Sequence, residues 1–163
     1  MRKLEPQPDD HDDTPPASAE LRLLPGDELI KDARKQLTHT ITIGATPDAI
    51  WPWLVSMTRA GGTEGHAVLR SDAPRSLVLG GLYDHATRHY LPFDAPRPAE
   101  FWHATWALVL TPLGPAQTRL DVRSRVAFTF EAVKWASVWT HPFHDFAEPE
   151  QLDHLKRAAE GHR

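Results

Sequence analysis

The chain has 163 residues, enough for one domain with its own hydrophobic core. Apolar residues make up 40% of the sequence and charged residues 25%, values typical of a globular protein rather than of a disordered or membrane protein. The sequence contains no cysteine, which excludes disulfides, thiolate metal sites and cysteine nucleophiles. The net charge is -4, and the sequence has no basic stretch of the kind that attracts phosphates, which argues against a nucleic-acid partner.

The N-terminal segment, residues 1–20, is acidic and rich in proline. It carries six acidic and two basic side chains, which account for the whole net charge of -4. Such a composition buries too little apolar surface to offset the entropy of ordering the chain. We therefore predict a disordered tail over residues 1–20 and a single domain over residues 21–163. The start of the chain has no apolar signal segment, and no run approaches the ~20 apolar residues of a membrane span, so a cytoplasmic protein is expected.

A strand and a helix are predicted at the start of the domain. Residues 37–43 alternate between polar and apolar side chains and contain several β-branched residues, which indicates a strand with Ile41 and Ile43 facing inward. Thr46 is a suitable helix N-cap, and the proline after it suits the first helical position because its missing N–H costs nothing there. The helix is expected to span about residues 47–57.

The middle of the chain contains two short predicted strands and a long predicted loop. The strands cover residues 66–70 and 76–80, separated by the turn sequence at residues 72–74. Residues 83–100 contain three prolines and are predicted to form a loop that could serve as a lid.

The clearest pattern predicts an antiparallel hairpin, with a turn at residues 112–115 between its two strands. Its apolar positions alternate along both strands: Trp102, Ala104, Trp106, Leu108 and Leu110, then Leu120, Val122, Ser124, Val126 and Phe128. The opposite face carries Arg119, Asp121, Arg123 and Arg125. Such alternation favours one buried face and one solvated face.

The C-terminal residues show the pattern of an amphipathic helix. The apolar stripe consists of Phe143, Phe146, Leu152, Leu155 and Ala159, and Gly161 is suited to end the helix. Together with the predicted strands, this helix indicates an α+β domain.

Four stretches of the sequence resemble the SRPBCC superfamily, which has the START-like helix-grip fold, and in particular its bacterial branch related to polyketide cyclases and dehydrases. They are Leu24-Pro25-Gly26-Asp27-Glu28-Leu29; Ile41-Thr42-Ile43 with Ala45-Thr46-Pro47-Asp48-Ala49-Ile50-Trp51-Pro52-Trp53-Leu54-Val55; Thr105-Trp106-Ala107 with Thr118-Arg119-Leu120 and Arg123-Ser124-Arg125; and Leu155-Lys156-Arg157-Ala158-Ala159-Glu160. The run Trp51-Pro52-Trp53-Leu54-Val55 is the most specific of them.

This resemblance implies a curved antiparallel sheet wrapped around a long C-terminal helix, with a cavity between them that binds lipids, polyketides or similar molecules. The segment after the first helix is shorter here than is usual in that branch, because the glycine pair at residues 61–62 is followed almost at once by the strand near His66. An abbreviated member with a smaller or more open pocket is therefore expected.

The candidate ligand-binding residues lie on the predicted helix and hairpin: Trp53, Trp102, Trp106, Val122 and Phe128. Tryptophan combines a large apolar face with one N–H donor, which suits a binding wall. The same side chains can equally fill an ordinary core, and a cavity wall differs from a core only in whether a removable molecule lies between the side chains.

The sequence contains ten histidines, so a metal site and a catalytic general base are considered as well. His85 and His89 are four residues apart, which would place both on one face of a helix, but the acidic residue of a zincin motif does not follow His85, so no metal is predicted. His103 is the weak candidate for a general base, although it falls on the predicted polar face. No cofactor-binding motif is present.

Three classes of function follow from these observations. The leading hypothesis is a carrier or sensor that binds a small apolar ligand between the sheet and the C-terminal helix. The first alternative is an enzyme of the polyketide cyclase or dehydratase type with His103 as its base. The second alternative is an interaction module without a ligand, in which an exposed edge strand pairs with a partner or forms a homo-oligomer. The fold alone does not decide among them.

Overall fold

The computed structural model describes residues 22–59, 66–129 and 156–161. The predicted tail over residues 1–20 and most of the predicted C-terminal helix lie outside these ranges. In chain order the elements are a short 3-10 helix (Asp27–Leu29), β1 (Lys35–Ile43), α1 (Pro47–Arg59), β2 (Ala67–Asp72), β3 (Ser76–Asp84), β4 (His89–Leu91), β5 (Phe101–Gly114) and β6 (Gln117–Phe128). Residues 156–160 are helical.

The six strands form one antiparallel sheet. Five of them follow the order β1-β6-β5-β3-β2, and β4 pairs with β3 outside this order. β4 pairs with the end of β3, where Tyr83 lies opposite Tyr90, while β2 pairs with the beginning of the same strand. The predicted hairpin is β5 and β6, with Trp106 opposite Ser124 and Leu108 opposite Val122. The α+β helix-grip class predicted from the sequence is confirmed.

One face of the sheet, here called the inner face, carries the main core. Strand alternation places every second residue on this face, including Leu79 on β3, Trp106 on β5 and Val122 on β6. Ile50 and Leu54 of α1 and Ala159 of the C-terminal helical residues pack against it. The inner face is therefore covered by helix from two separate parts of the chain.

The helix α1 begins as the sequence predicts. The Thr46 side chain accepts a hydrogen bond from the backbone N–H of Ala49 at 3.3 Å, and Pro47 is the first helical residue. The Glu160 carboxylate accepts a hydrogen bond of 2.7 Å from the backbone N–H of Gly44, just before this helix. The C-terminal helical residues are thus fastened to the junction of β1 and α1.

The opposite face of the sheet is here called the outer face. The prediction that this side of the hairpin is solvated is wrong. Asp121 and Arg123 are only 4% and 2% exposed, and Thr105 and Ala107 on β5 are buried as well. The cause is the N-terminal strap, residues 22–34, which packs across this face; its Leu24 forms a second apolar cluster with Val78 and Ala107.

Buried charges attach the strap to the outer face. The Arg123 guanidinium donates to the Asp27 carboxylate at 2.7 Å, to the Thr38 hydroxyl at 3.0 Å and to the Arg22 carbonyl at 2.6 Å. The Arg22 guanidinium in turn donates to the Asp121 carboxylate at 2.7 Å. Asp27, Asp121 and Arg123 can lie in the interior because each of these charges has a partner, whereas the Arg22 side chain is exposed.

The prediction that residues 83–100 form one loop is also wrong, because the end of one strand and the whole of another lie within this segment. β3 continues through the glycine pair at residues 80–81 to Asp84, and β4 forms inside the predicted loop. All nine residues of β3 are buried, since the strand has neighbours on both edges and cover on both faces. At Gly80 a Cβ atom would lie 2.5 Å from the Leu69 side chain and 2.6 Å from Phe93, so the close cover of these two residues requires glycine there.

Candidate functional site

Five aromatic side chains gather at one end of the inner face, and we call them the aromatic cluster: His66, Tyr83, Tyr90, Trp102 and Trp106. The ring centroids of Trp102 and Trp106 are 5.4 Å apart, and those of Tyr83 and Tyr90 are 5.0 Å apart. The His66 ring lies between the two pairs, 5.1 Å from Trp106 and 5.4 Å from Tyr90. The cluster is thus continuous across strands β3, β4 and β5.

The strand register explains why these rings meet. Trp102 is opposite Tyr83 and Trp106 is opposite Leu79, with Gly81 opposite Ala104 between them. The two tryptophans are four residues apart on one strand, so they lie on the same face with Ala104 between them. The small side chain of Ala104, with Gly81 opposite it, leaves room for the two tryptophan rings to meet on this face.

The His66 imidazole packs against both tryptophan rings. Its ring makes near-perpendicular contacts with both tryptophans, at interplanar angles of 88° and 82°. Such edge-to-face contacts are a favoured geometry for aromatic rings. Together with the two tyrosines, His66 gives the aromatic cluster polar atoms beside apolar rings, a combination that small-molecule sites also have.

A second histidine borders the cluster. The His85 ring contacts Tyr83 edge-on at 5.1 Å. Burial lowers the pKa of His85, while the negative charges of Glu100 and Asp84 act in the opposite direction. A neutral imidazole is therefore favoured beside Tyr83.

The structure brings most of the predicted ligand-binding residues together. Trp102, Trp106 and Val122 are buried members of the inner-face core, and Trp53 packs against it from α1. Phe128 lies opposite Trp102 at the end of β6 and is partly buried, with the Arg34 guanidinium 5.8 Å from its ring centroid. Whether these residues bind a ligand remains a prediction.

The weak catalytic candidate, His103, is separated from this group. It projects from β5 on the opposite side to Trp102 and packs under the Phe93 ring on the outer face, at 4.3 Å between centroids. Its Nδ1 atom accepts a hydrogen bond of 3.0 Å from Arg97. A substrate held by Trp102 and Trp106 would have the sheet between itself and this imidazole, so His103 is not positioned as its base.

The two histidines considered for a metal do not share a helix. His85 lies in the turn after β3, and His89 begins β4, where its Nδ1 atom lies 2.6 Å from the Thr87 carbonyl. Within the described ranges, no group of three or more His, Cys, Asp or Glu side chains is arranged to hold a metal ion.

Sequence reasoning missed three members of the aromatic cluster: His66, Tyr83 and Tyr90. The two tyrosines fall inside the segment predicted as a loop, and their pairing depends on a β4 strand of only three residues. One signal was available, because the apolar run of β3 resumes at Leu82 and Tyr83 after the glycine pair. His66 carries no signal of its own, since its position is set by contacts with β4 and β5.

Comparison with known proteins supports the fold. No protein-family model and no curated protein sequence matches the chain. A conserved protein from Geobacillus kaustophilus superposes with a TM-score of 0.50 at 10% identity, covering 78% of this chain and 96% of that one. A protein from Arthrobacter aurescens gives a TM-score of 0.50 at 11% identity, covering 77% and 86%.

A more distant likeness is to an aromatase/cyclase from a Streptomyces species, with a TM-score of 0.43 at 13% identity, covering 79% of this chain and 96% of that one. At such identities the comparisons show a shared fold and nothing about activity. The two superpositions with a TM-score of 0.50 support the fold that the resemblance in the sequence implied. None of the helices in the described part of the chain is long and apolar enough to cross a membrane.

Proposed function

We propose that this protein binds a small apolar molecule on the inner face of its sheet, at the aromatic cluster. The observation that carries the proposal is the convergence of five rings from four places in the chain around the small residues Gly81 and Ala104. Protein cores are close-packed, and aromatic rings are common in them. What supports a binding site here is the gathering of five rings beside two small residues, because such rings can offer a flat apolar molecule several faces to contact.

Polar atoms in the cluster support a ligand with a polar end. The two tyrosines and His66 each carry a hydrogen-bonding group beside the apolar walls formed by Trp102 and Trp106. Sites for small molecules combine such walls with a few polar groups that fix orientation. The ligand expected here is therefore a compact molecule that is mostly apolar and has at least one hydrogen-bonding group.

This proposal is favoured over the enzyme alternative. A cyclase or dehydratase needs a base within hydrogen-bond distance of the reacting carbon acid. The base suggested by the sequence, His103, lies on the outer face beneath Phe93 and Arg97. Binding needs no such group, and the residues of the aromatic cluster suffice for it.

A dye titration with a matched pair of variants tests the proposal. Anilinonaphthalene sulfonate, an apolar fluorescent probe, is expected to bind the folded protein, and Tyr90→Leu is expected to weaken its binding about threefold to tenfold, the worth of one aromatic contact. Tyr90 is suitable because it is only half-buried and its loss should leave the fold intact. The measurement is the dissociation constant from the fluorescence increase.

The control is Phe93→Leu, which removes a half-buried ring from the outer face. It is expected to leave dye binding unchanged. Cooperative urea unfolding of each variant confirms that the dye reports on a folded protein and not on a loosened one. Equal weakening by both variants, or no binding to the unmodified protein, would contradict the proposed site.

A further inference from the structure

A group of four side chains on the outer face takes no part in the proposed binding site. Arg97, from the loop over residues 92–98, donates to both carboxylate oxygens of Asp32 in the strap, at 2.6 Å and 2.9 Å. Its Nε atom donates to His103 Nδ1 on β5 at 3.0 Å, and its guanidinium lies over the Phe101 ring, 4.9 Å from the centroid. Arg97 therefore joins the loop, the strap and the sheet.

The hydrogen bond fixes the protonation state of His103. An arginine Nε–H can only donate, so Nδ1 of His103 must accept through its lone pair. This hydrogen bond therefore requires a neutral imidazole with its proton on Nε2. The residue is 7% exposed, and the Phe93 ring of the same loop covers it. The loop is thus held by two contacts with one imidazole, one through Arg97 and one through Phe93.

The charges around this imidazole come from three elements. Arg97 is in direct contact through the loop, Asp32 lies behind it in the strap, and Arg125 projects from the neighbouring strand β6, bound to Gln36. The partner of His103 on β3 is the apolar Leu82. Burial and the charge of Arg97 lower the pKa of His103, while the Phe93 backbone and Asp32 act in the opposite direction.

We propose that His103 and Arg97 form a proton-sensitive latch that holds the Phe93 ring of the 92–98 loop over His103 on the outer face and releases this ring in acid. A proton added at Nδ1 removes the acceptor of the Arg97 hydrogen bond and places a second cation beside the guanidinium. Asp32 stays ionised in this range, because the hydrogen bonds from Arg97 hold its pKa below the usual value. Arg97 therefore keeps its ion pair with Asp32 and leaves His103. The Phe93 ring moves off the imidazole, while the loop stays attached to the strap through Arg97.

An NMR titration of the full chain from pH 7.5 to 4.5 tests this latch. The readout is the nuclear Overhauser contact between the Phe93 ring and the Cα hydrogens of Gly80, two groups in close contact in the closed form. We expect the contact to be lost with the same midpoint at which the His103 ring titrates, below pH 6.5, the ordinary midpoint of histidine. A contact that persists through the His103 titration would overturn the latch.

Two variants test whether His103 is the group whose protonation opens the latch. His103→Asn keeps an acceptor near the position of Nδ1 but cannot titrate, so its Phe93–Gly80 contact is expected to persist to pH 4.5. His85→Asn removes the other histidine with a lowered pKa, in the turn after β3, and is expected to leave the transition unchanged. Loss of the contact in His103→Asn at the same pH as in the unmodified chain would assign the transition to another group. If His103→Asn fails to fold, the titrations of the unmodified chain and of His85→Asn decide the matter.

Discussion

Replacing Arg123 with methionine is expected to lower the free energy of unfolding by about 3–5 kcal/mol, the usual cost of breaking a buried ion pair from one side. The variant leaves the Asp27 carboxylate inside the protein without its cation, and it removes the hydrogen bonds to Thr38 and to the Arg22 carbonyl. The strap over the outer face loses its central attachment. Urea unfolding monitored by tryptophan fluorescence measures the effect.

Two further variants show whether the cause is the unpaired charge. Arg119→Met, on the same strand, removes a guanidinium that is partly exposed and bonds to Asp121, and a change below about 1 kcal/mol is expected. The double variant Asp27→Leu with Arg123→Met is expected to recover much of the lost stability, because neither charge of the broken ion pair is then left buried without its partner. Similar losses for Arg119→Met and Arg123→Met would show that the ion pair does not fasten the strap.

Replacing Trp106 with alanine is expected to lower the free energy of unfolding by about 3–5 kcal/mol, as for other large core side chains. The side chain is 2% exposed and contacts Trp102 and His66 at the centre of the aromatic cluster. The neighbouring strands are paired on both sides of β5, which limits how far the site can collapse. Urea unfolding again provides the measurement.

The control for this variant is Trp51→Ala on α1, where the side chain is only partly buried against the same core. A clearly smaller loss of stability is expected there. Indole added to Trp106→Ala should raise its unfolding midpoint by filling the space left by the ring, and should leave Trp51→Ala unchanged. Equal destabilisation of the two variants, or no effect of indole on either, would mean that the inner face closes over the gap.

The sequence predicted the elements whose patterns are local. The alternation along β5 and β6 located the hairpin, and the Thr46 cap followed by Pro47 located the start of α1. Ile43 is fully buried as expected. In each case the residues that determine the structure are neighbours in the chain, so their spacing was enough.

The burial of the outer face could not be predicted in this way. Asp121 and Arg123 alternate with apolar residues as on a solvated strand, and nothing next to them shows that they are paired. The partner of Arg123 is Asp27, which is 96 residues away in the sequence. A charged residue is exposed unless it has a partner, and this partner is identified only by the course of the strap across the sheet.

The sequence predicted only part of the candidate site, because only some of its residues lie in a strongly patterned segment. Trp102 and Trp106 were identified because they lie on a strongly patterned strand. Tyr83, Tyr90 and His66 were missed because β4 is three residues long and pairs across a turn with the end of β3. Short strands bury too few residues to show a period, and only the register reveals that Tyr90 meets Tyr83.

Native mass spectrometry of the purified full chain tests the central claim, that the inner face binds a small apolar molecule, most directly. The account predicts a native mass above that of the denatured polypeptide, with the difference released into organic solvent as a compact, mostly apolar molecule. It also predicts that Tyr90→Leu lowers the occupied fraction while Phe93→Leu does not. Equal native and denatured masses, in a protein that also leaves the fluorescence of anilinonaphthalene sulfonate unchanged, would contradict the claim and show that the aromatic cluster is only part of the core.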